Sequence, residues 1–537
     1  MDSEKHDVAH VDQPQATAVR LLDQADHSTT KWQAIKANPK AFCWCLYAVW
    51  TVLLVSFENQ ASGIVISIPR FRKDFGDAFE GDYVVPAKWQ SAFSGAPVAS
   101  QVAGSFLCGT IADSIGRRWT FFSAILVSFA AITVEFISTT NAEFFGGKFL
   151  NGFVVGILQA VAGSYVGEIA PFPLRGLLTC LIALSYTLGP FTVALIVDSE
   201  GDADNRWAYR SVFCSQYGFA AVAAAFWFFM PESPWWLANK GKDELALKNL
   251  EKLGYSSSTG ENARRLAQIK TTLDEARHET EGVSYLECFR KSNLRRTIIS
   301  ISVIMMQQLS GINFAASYST YYAQLAGFST DMSFKLQITQ QVLSMAGNVL
   351  SWYLIDKAGR RNLTLYGIVT LTVVLWLMGG LAVAGESASE GSSALLKGCV
   401  ALILVYCFFY NVSIGAVAYT LLTEVSTSRL RIKTVAIGLA SSHSVSVMWS
   451  FVLPYMFNPD HANLGGKVGF IFGGLCFPCI AFAWFFIPET RGRTYEELDE
   501  MFAKKVPPRH FKDYKSDARA KATALTEPEI VKVKEDA

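Results

Sequence analysis

Apolar residues in this chain gather into about twelve segments of roughly 18 to 25 residues, each long enough to cross ~30 Å of hydrocarbon as an α-helix. The segments lie near 42–68, 89–111, 119–137, 145–167, 174–197, 211–230, 297–322, 334–354, 363–384, 395–423, 435–453 and 468–487. With 51% of its residues apolar, the chain cannot cover that many helices with polar surface in water. The expectation is an all-α protein that spans the lipid bilayer twelve times.

Small residues recur at close spacing inside these segments, as at Gly147, Gly152 and Gly156, which allows helix backbones to approach closely. That pattern predicts a packed bundle. The first 41 residues are polar and mixed in charge, without the short apolar core and small-residue cleavage site of a secretory signal. Basic residues cluster at Lys31, Lys36 and Lys40, at Arg117 and Arg118, and at Arg360 and Arg361. Short loops rich in Lys and Arg stay on the cytoplasmic side, which places both termini there. A polar stretch, 231–296, separates six segments from six and reads as a cytoplasmic linker with short helices. The organisation is therefore a tail (1–41), a six-helix half (42–230), the linker, a second half (297–487) and a second tail (488–537).

The net charge of +1 gives no reason to expect nucleic acid as a partner. Cys476 and Cys479 form a CxxC inside the last apolar segment, without a second pair or a His cluster, and read as small buried hydrophobes. No metal constellation, no cofactor signature and no glycine-rich nucleotide loop is present in the sequence, so an enzyme is not expected.

The two halves repeat each other. Asp113-x-x-Gly-Arg-Arg (Asp113, Arg117, Arg118) falls between segments 2 and 3, and Asp356-x-x-Gly-Arg-Arg (Asp356, Arg360, Arg361) between segments 8 and 9. Glu168 precedes Arg175 by seven residues after segment 4, and Glu424 precedes Arg431 by seven after segment 10. Two parallel six-helix halves related by an axis along the membrane normal are the pattern of a transporter that rocks about a site at mid-depth. Acids and arginines repeated at one face suit ion pairs that hold that face closed and break when it opens. Loop anchoring by basic residues explains the arginines alone, but not the paired acids.

These motifs, with GKFLNGFVVG at 147–156, EIAPFPLRG at 168–176, PESPWWL at 231–237, QQLSGIN at 307–313 and PETRGRTYEELDEMF at 488–502, resemble the sugar porters of the major facilitator superfamily. The stretches YTLLTEVSTSRLRIKT and LPYMFNPDHANLGGKVGFIFGG are most similar to fungal maltose and α-glucoside permeases. The resemblance implies the major facilitator fold and adds Glu232 of PESPWWL to the gating set.

A sugar needs groups that donate and accept and an apolar face to lie on. Segment 7 offers Gln307, Gln308 and Asn313, followed by Tyr318, Tyr321 and Tyr322; amides in such a helix are costly unless they face a polar cavity or a partner helix. The resemblance adds Asn411 and Tyr419 of segment 10 as candidates. It also shows departures, at Ala183, Ser344 and His443, where sugar porters often carry other side chains, so the pocket differs from the hexose pattern. Glu58 is an acid within the first segment, where a carboxylate must be paired or protonated. The resemblance implies a proton-coupling pair, Glu58 carrying the proton and Lys148 the fixed charge beside it.

The sequence thus leads to a secondary transporter that imports a sugar, an α-glucoside or related oligosaccharide, with protons across a plasma membrane, acting as a monomer. The rivals are a proton-independent facilitator, a carrier of another polyhydroxylated or secondary metabolite, and a transporter-like nutrient sensor.

Overall fold

The structure, a computed structural model, describes residues 31–514 apart from 80, 172–173, 256–259, 281–283, 388–391, 428–429, 460, 494 and 513. Twelve helical spans form the bundle. The first half holds α1 (Pro39–Ile64), α2 (Ala87–Ile115), α3 (Arg117–Ile137), α4 (Asn141–Ile169), α5 (Arg175–Glu200) and α6 (Trp207–Trp227). The second holds α7 (Leu294–Leu309, Ile312–Ser317 and Ser319–Leu325), α8 (Thr330–Ala358), α9 (Arg360–Ser387), α10 (Ser392–Val412 and Ile414–Val425), α11 (Arg431–Phe457) and α12 (Val468–Phe486). Three shorter helices, Pro234–Asn239, Asp243–Leu253 and Glu261–Thr280, pack together between the halves in sequence, and Leu237, Ala246, Leu250 and Leu253 join the buried core of the first half.

Eight helices among the described residues are long and apolar enough to cross a membrane on composition alone. The rest of the bundle falls short for a physical reason. Interior polar groups dilute α2 (Gln90, Ser100, Gln101), α6 (Gln216) and α8 (Gln337, Gln340), all of them buried, and α7 is interrupted. Polar groups inside a membrane protein need partners, and two of these bond across to α7: Gln340 Nε2 donates to Ala315 O at 2.9 Å, and Gln337 Oε1 accepts from Ser319 and Thr320.

Segments 7 and 10, each expected as one helix, are broken. Gly311 takes a left-handed φ of +94° between the first two pieces of α7, and a side chain there would strike the ring of Phe472. In α10 the backbone at Ser413 leaves helical geometry (φ −110°, ψ −105°). Both breaks free carbonyls, and side chains fill the gaps. Tyr406 donates to Ser310 O at 2.8 Å, while Gln307 Nε2 donates to Ile414 O at 3.0 Å and Gly415 O at 3.1 Å.

Within the first half, α2 and α4 make the closest packing. A Cβ added to Gly152 would fall inside van der Waals contact of Pro97, and one added to Gly156 would meet the backbone of Gln101. The halves meet through α2 against α11 and α5 against α8. Replacing Gly156 with Leu is expected to cost about 1–3 kcal/mol through forced separation of α2 and α4. The check is a lower thermal midpoint of the purified protein in detergent, with Gly163→Leu, which meets open space, as the neutral comparison.

Candidate functional site

The repeated motif ends one helix and starts the next, and its geometry is the same in both halves. Gly116 (φ +94°) and Gly359 (φ +89°) turn the chain sharply after α2 and α8. The first amides of the following helix have no intrahelical acceptor and carry the positive end of its dipole. A carboxylate from elsewhere in the half supplies the acceptor. Arg117 N and Arg118 N donate to Glu232 at 2.9 and 3.2 Å, and Arg360 N and Arg361 N donate to Glu489 at 2.9 and 3.2 Å. Any side chain at Gly116 or Gly359 would collide with that carboxyl group, so glycine is needed for room as well as for φ. Burial holds the Glu232 carboxyl above the usual carboxylate range, against the downward pull of these backbone donors and Ser233 N.

The first arginine of each motif then ties two more helices together. Arg117 Nη2 lies 2.8 Å from Glu168 Oε1 on α4, and its Nη1 bonds Ala112 O of α2 and Asp113 Oδ1, each at 3.1 Å. Arg360 Nη2 lies 3.2 Å from Glu424 Oε1 on α10, and its Nη1 bonds Ile355 O of α8 at 3.1 Å. The second oxygen of each glutamate accepts a hydroxyl next to the capping acid: Ser233 donates to Glu168, and Thr490 to Glu424 at 2.6 Å. The second arginines bond carbonyls at the ends of α6 and α12, Arg118 to Phe228 O and Arg361 to Trp484 O. Asp113 is 71% exposed, a peripheral member of its cluster. The side chains of Arg175, Asp356 and Arg431 lie outside the described residues.

These ion pairs run within each half rather than between them. Glu489 is the functional partner the sequence analysis missed, although Pro488-Glu489-Thr490 stands opposite Pro231-Glu232-Ser233 and carried the signal.

Bonds between the halves gather at the opposite end. There Gln90 Nε2 donates to Asn458 Oδ1 (2.8 Å), Arg72 Nη1 to Gln324 Oε1 (2.6 Å), Gln324 Nε2 to Ser67 O (2.8 Å) and Ser91 Oγ to Phe451 O (2.8 Å). Tyr318 and Tyr321 belong to this seal. Tyr318 is 1% exposed with its ring 4.8 Å from that of Phe457, and Tyr321 reaches Asn458.

Gln308 and Asn313 sit differently. Both are half-buried and form a polar row between α7 and α11: Asn313 Nδ2 donates to Gln308 Oε1 at 3.1 Å, and Gln308 Nε2 to Ser442 Oγ at 3.3 Å. Gln307 is buried, with its amide nitrogen committed to α10. Tyr419, on the second piece of α10, is 55% exposed and stands near Tyr186 of α5 in the other half. Asn411 bonds Cys407 O of its own helix, and His443 Nδ1 lies 2.7 Å from Leu439 O of its own helix. Ser344 is buried and Ala183 half-buried.

The first half holds a fully enclosed charge cluster. Lys148 Nζ on α4 lies 2.7 Å from Glu58 Oε1 on α1 and 3.3 Å from Glu135 Oε2 on α3. Gln216 Nε2 of α6 donates to Glu58 Oε2 at 2.7 Å, and Asn151 Nδ2 of α4 to Glu135 Oε1 at 3.0 Å. The ammonium also lies 4.9 Å from the ring centroid of Phe213. Glu58 and Lys148 are thus brought together as expected. Glu135 was missed because it stands near the end of segment 3, where an acid reads as interfacial.

The described geometry matches comparisons with known proteins. A family model described as sugar (and other) transporter covers residues 44–502. Maltose permease MAL31 of Saccharomyces cerevisiae is 31% identical over 94% of this chain and 82% of its own length. Alpha-glucosides permease MPH2 of the same organism is 32% identical, again over 94% of this chain and 83% of its own length. Among solved structures, the xylose transporter XylE from E. coli in a partially occluded inward-open conformation superposes with a TM-score of 0.67 at 22% identity, covering 85% of this chain and 100% of that one. With its twelve helices in two six-helix halves and a family match across both of them, this chain is a multi-pass membrane transporter of the sugar porter family of the major facilitator superfamily and not an enzyme.

Proposed function

We propose that this transporter imports an α-glucoside or related oligosaccharide together with protons across the plasma membrane, both termini cytoplasmic, by alternating access. The observation that carries the reading is the buried Glu58–Lys148 pair, 2% and 0% exposed, in a half otherwise built for tight apolar packing. Taking two charges out of water is expensive, and well-packed apolar residues serve stability equally well. A pair retained in that position suits a group that changes protonation state during a cycle. The substrate class rests on the names of the yeast relatives, maltose and α-glucoside permeases.

The sugar would bind in the cleft between halves, against the amides of Gln308 and Asn313 and the ring of Tyr419. An amide donates and accepts at once, which matches a hydroxyl, and a tyrosine face covers the apolar side of a pyranose. With the basic loops cytoplasmic, the bonded end is extracellular, and the arrangement faces inward. The two loop-end clusters, centred on Arg117 and Arg360, would then keep each half rigid as it rocks.

Uptake of labelled maltose by a transport-deficient yeast expressing the protein is expected to be faster at about pH 5 than at about pH 7.5, and to lose its concentrative part in Glu58→Gln. No maltose, glucose or polyol uptake by protein that reaches the surface would refute the sugar reading. Gln308→Ala is expected to raise KM about tenfold, one unpaired hydroxyl's worth of about 1–3 kcal/mol. Because Glu232 and Glu489 cap α3 and α9 alike, Glu232→Gln and Glu489→Gln are expected to slow uptake to similar degrees at unchanged surface expression, with KM the less affected parameter. A large effect from one and none from the other would count against equivalent roles.

A further inference from the structure

We propose that the carboxyl group of Glu135 on α3 is a proton-binding site of this transporter, protonated in the arrangement described, while Glu58 stays ionised as the counter-ion of Lys148. The inference deepens the symport reading and takes its role from it, but the protonation itself rests on the enclosed cluster alone.

Charge balance comes first. Two carboxyl groups and one ammonium lie within 3.3 Å contacts, with side-chain exposures of 2% for Glu58 and 0% for Glu135 and Lys148. If all three were charged, the cluster would hold one uncompensated negative charge away from water, the costliest state open to it. One proton on one carboxyl group removes that charge. Among the described residues no other cation is paired with the cluster; Arg117 and Arg118 lie at the far end of α3 from Glu135. On α1 the remaining charged residue is Lys40, at the first turn; α2 carries Lys88 and Asp113 only at its two ends; α4 adds Glu143 and Glu168, near its ends. Arg210 of α6 lies over the ring of Phe136, 5.4 Å from its centroid, rather than against the Glu135 carboxyl.

The hydrogen-bond inventory then chooses between the two acids. Both oxygens of Glu58 accept short bonds, Oε1 from Lys148 Nζ and Oε2 from Gln216 Nε2, each at 2.7 Å. A carboxylate uses four acceptor sites and donates nothing, so this surrounding fits the ionised form. At Glu135 the contacts are longer: Oε1 accepts from Asn151 Nδ2 at 3.0 Å, and Oε2 pairs with Lys148 Nζ at 3.3 Å. Of the two acids, Glu135 therefore gives up the weaker set of bonds when it takes the proton. The site is also shaped around this group: a side chain on Gly147 would press on Glu135 Cγ from 2.8 Å. Because the cluster has almost no contact with solvent, the proton is held until α1, α4 or α6 shifts, and loading is then tied to a conformational step. The step itself is simple, a carboxylate taking one proton from water to give the acid and returning it on the other side.

The test is infrared spectroscopy of the full-length purified protein in lipid at about pH 7. The difference between wild type and Glu135→Gln is expected to contain the C=O stretch of a protonated carboxylic acid, shifted in D2O. Glu135→Asp is expected to move that band, and Glu58→Asp to leave its position unchanged. Absence of the band from the wild type, or a band that moves in Glu58→Asp but not in Glu135→Asp, overturns the proposal. Should Glu135→Gln fail to fold, the two aspartate variants decide the matter by themselves. The readout concerns the proton and is independent of which sugar, if any, is carried.

Discussion

Charge removed from water must be matched within a few ångströms, and this constraint arranges the transporter from its surface to its centre. At the loop end it produces two clusters in which a carboxylate neutralises a helix start and an arginine neutralises a second carboxylate. At the centre of the first half it produces a lysine held between two acids. The aromatic rings of Phe144 and Phe213 close around that lysine, so its compensation comes from the cluster and not from solvent. Among the described side chains, the partners come from other helices or from the loops that follow α6 and α12. Packing of the helices and pairing of the charges are therefore one problem with one solution.

The halves share a skeleton and differ in content. The loop-end clusters share their capping acid, arginine and second glutamate, yet the first half encloses ionisable residues on α1, α3 and α4, whereas the second offers amides and hydroxyls on α7 and α11. The two contents meet where α1 passes α7. A side chain on Gly63 would strike Ser317 O, and Gln60 donates to Ala316 O at 3.3 Å, four residues or fewer from Ser319 and two residues along α1 from Glu58. A change in protonation around Glu58 thus has a short mechanical route to the broken helix of the other half.

Twelve spans, two halves and the loop motifs were legible because each leaves a local signature: apolar length, or a repeated string with glycine at a fixed place. Lys148 was picked out by the resemblance to sugar porters, and Glu58 was legible because a charge in the middle of an apolar run is conspicuous. Glu135 was not, because near a helix end the same residue costs nothing in a linear reading; only the fold shows that α4 and α1 cover it. Gln307 teaches a related lesson. In sequence it is one of three amides, indistinguishable from Gln308, but the break at Ser413 creates two carbonyls that claim its nitrogen. The breaks in α7 and α10 carry only a weak local signal: Ser310-Gly311 and the run NVSIG at 411–415 are poor helix formers, but similar residues also sit inside the unbroken helix α4. Tyr318 likewise stands beside the amides in sequence, and the turn at Gly311 carries it up into the seal.

The interruption of α10 has a mechanical consequence. Beyond Ser413 the helix restarts as a single rigid rod, Ile414–Val425, and on that rod Tyr419 and Glu424 are separated by five residues, about 7.5 Å of rise. One reaches into the cleft and the other grips Arg360. The rod's near end joins the preceding helix through a non-helical residue, with the carbonyls freed there held by the Gln307 side chain, so it behaves as a lever on a soft pivot. A load placed on the tyrosine ring arrives at the loop-end cluster without any intervening joint to absorb it.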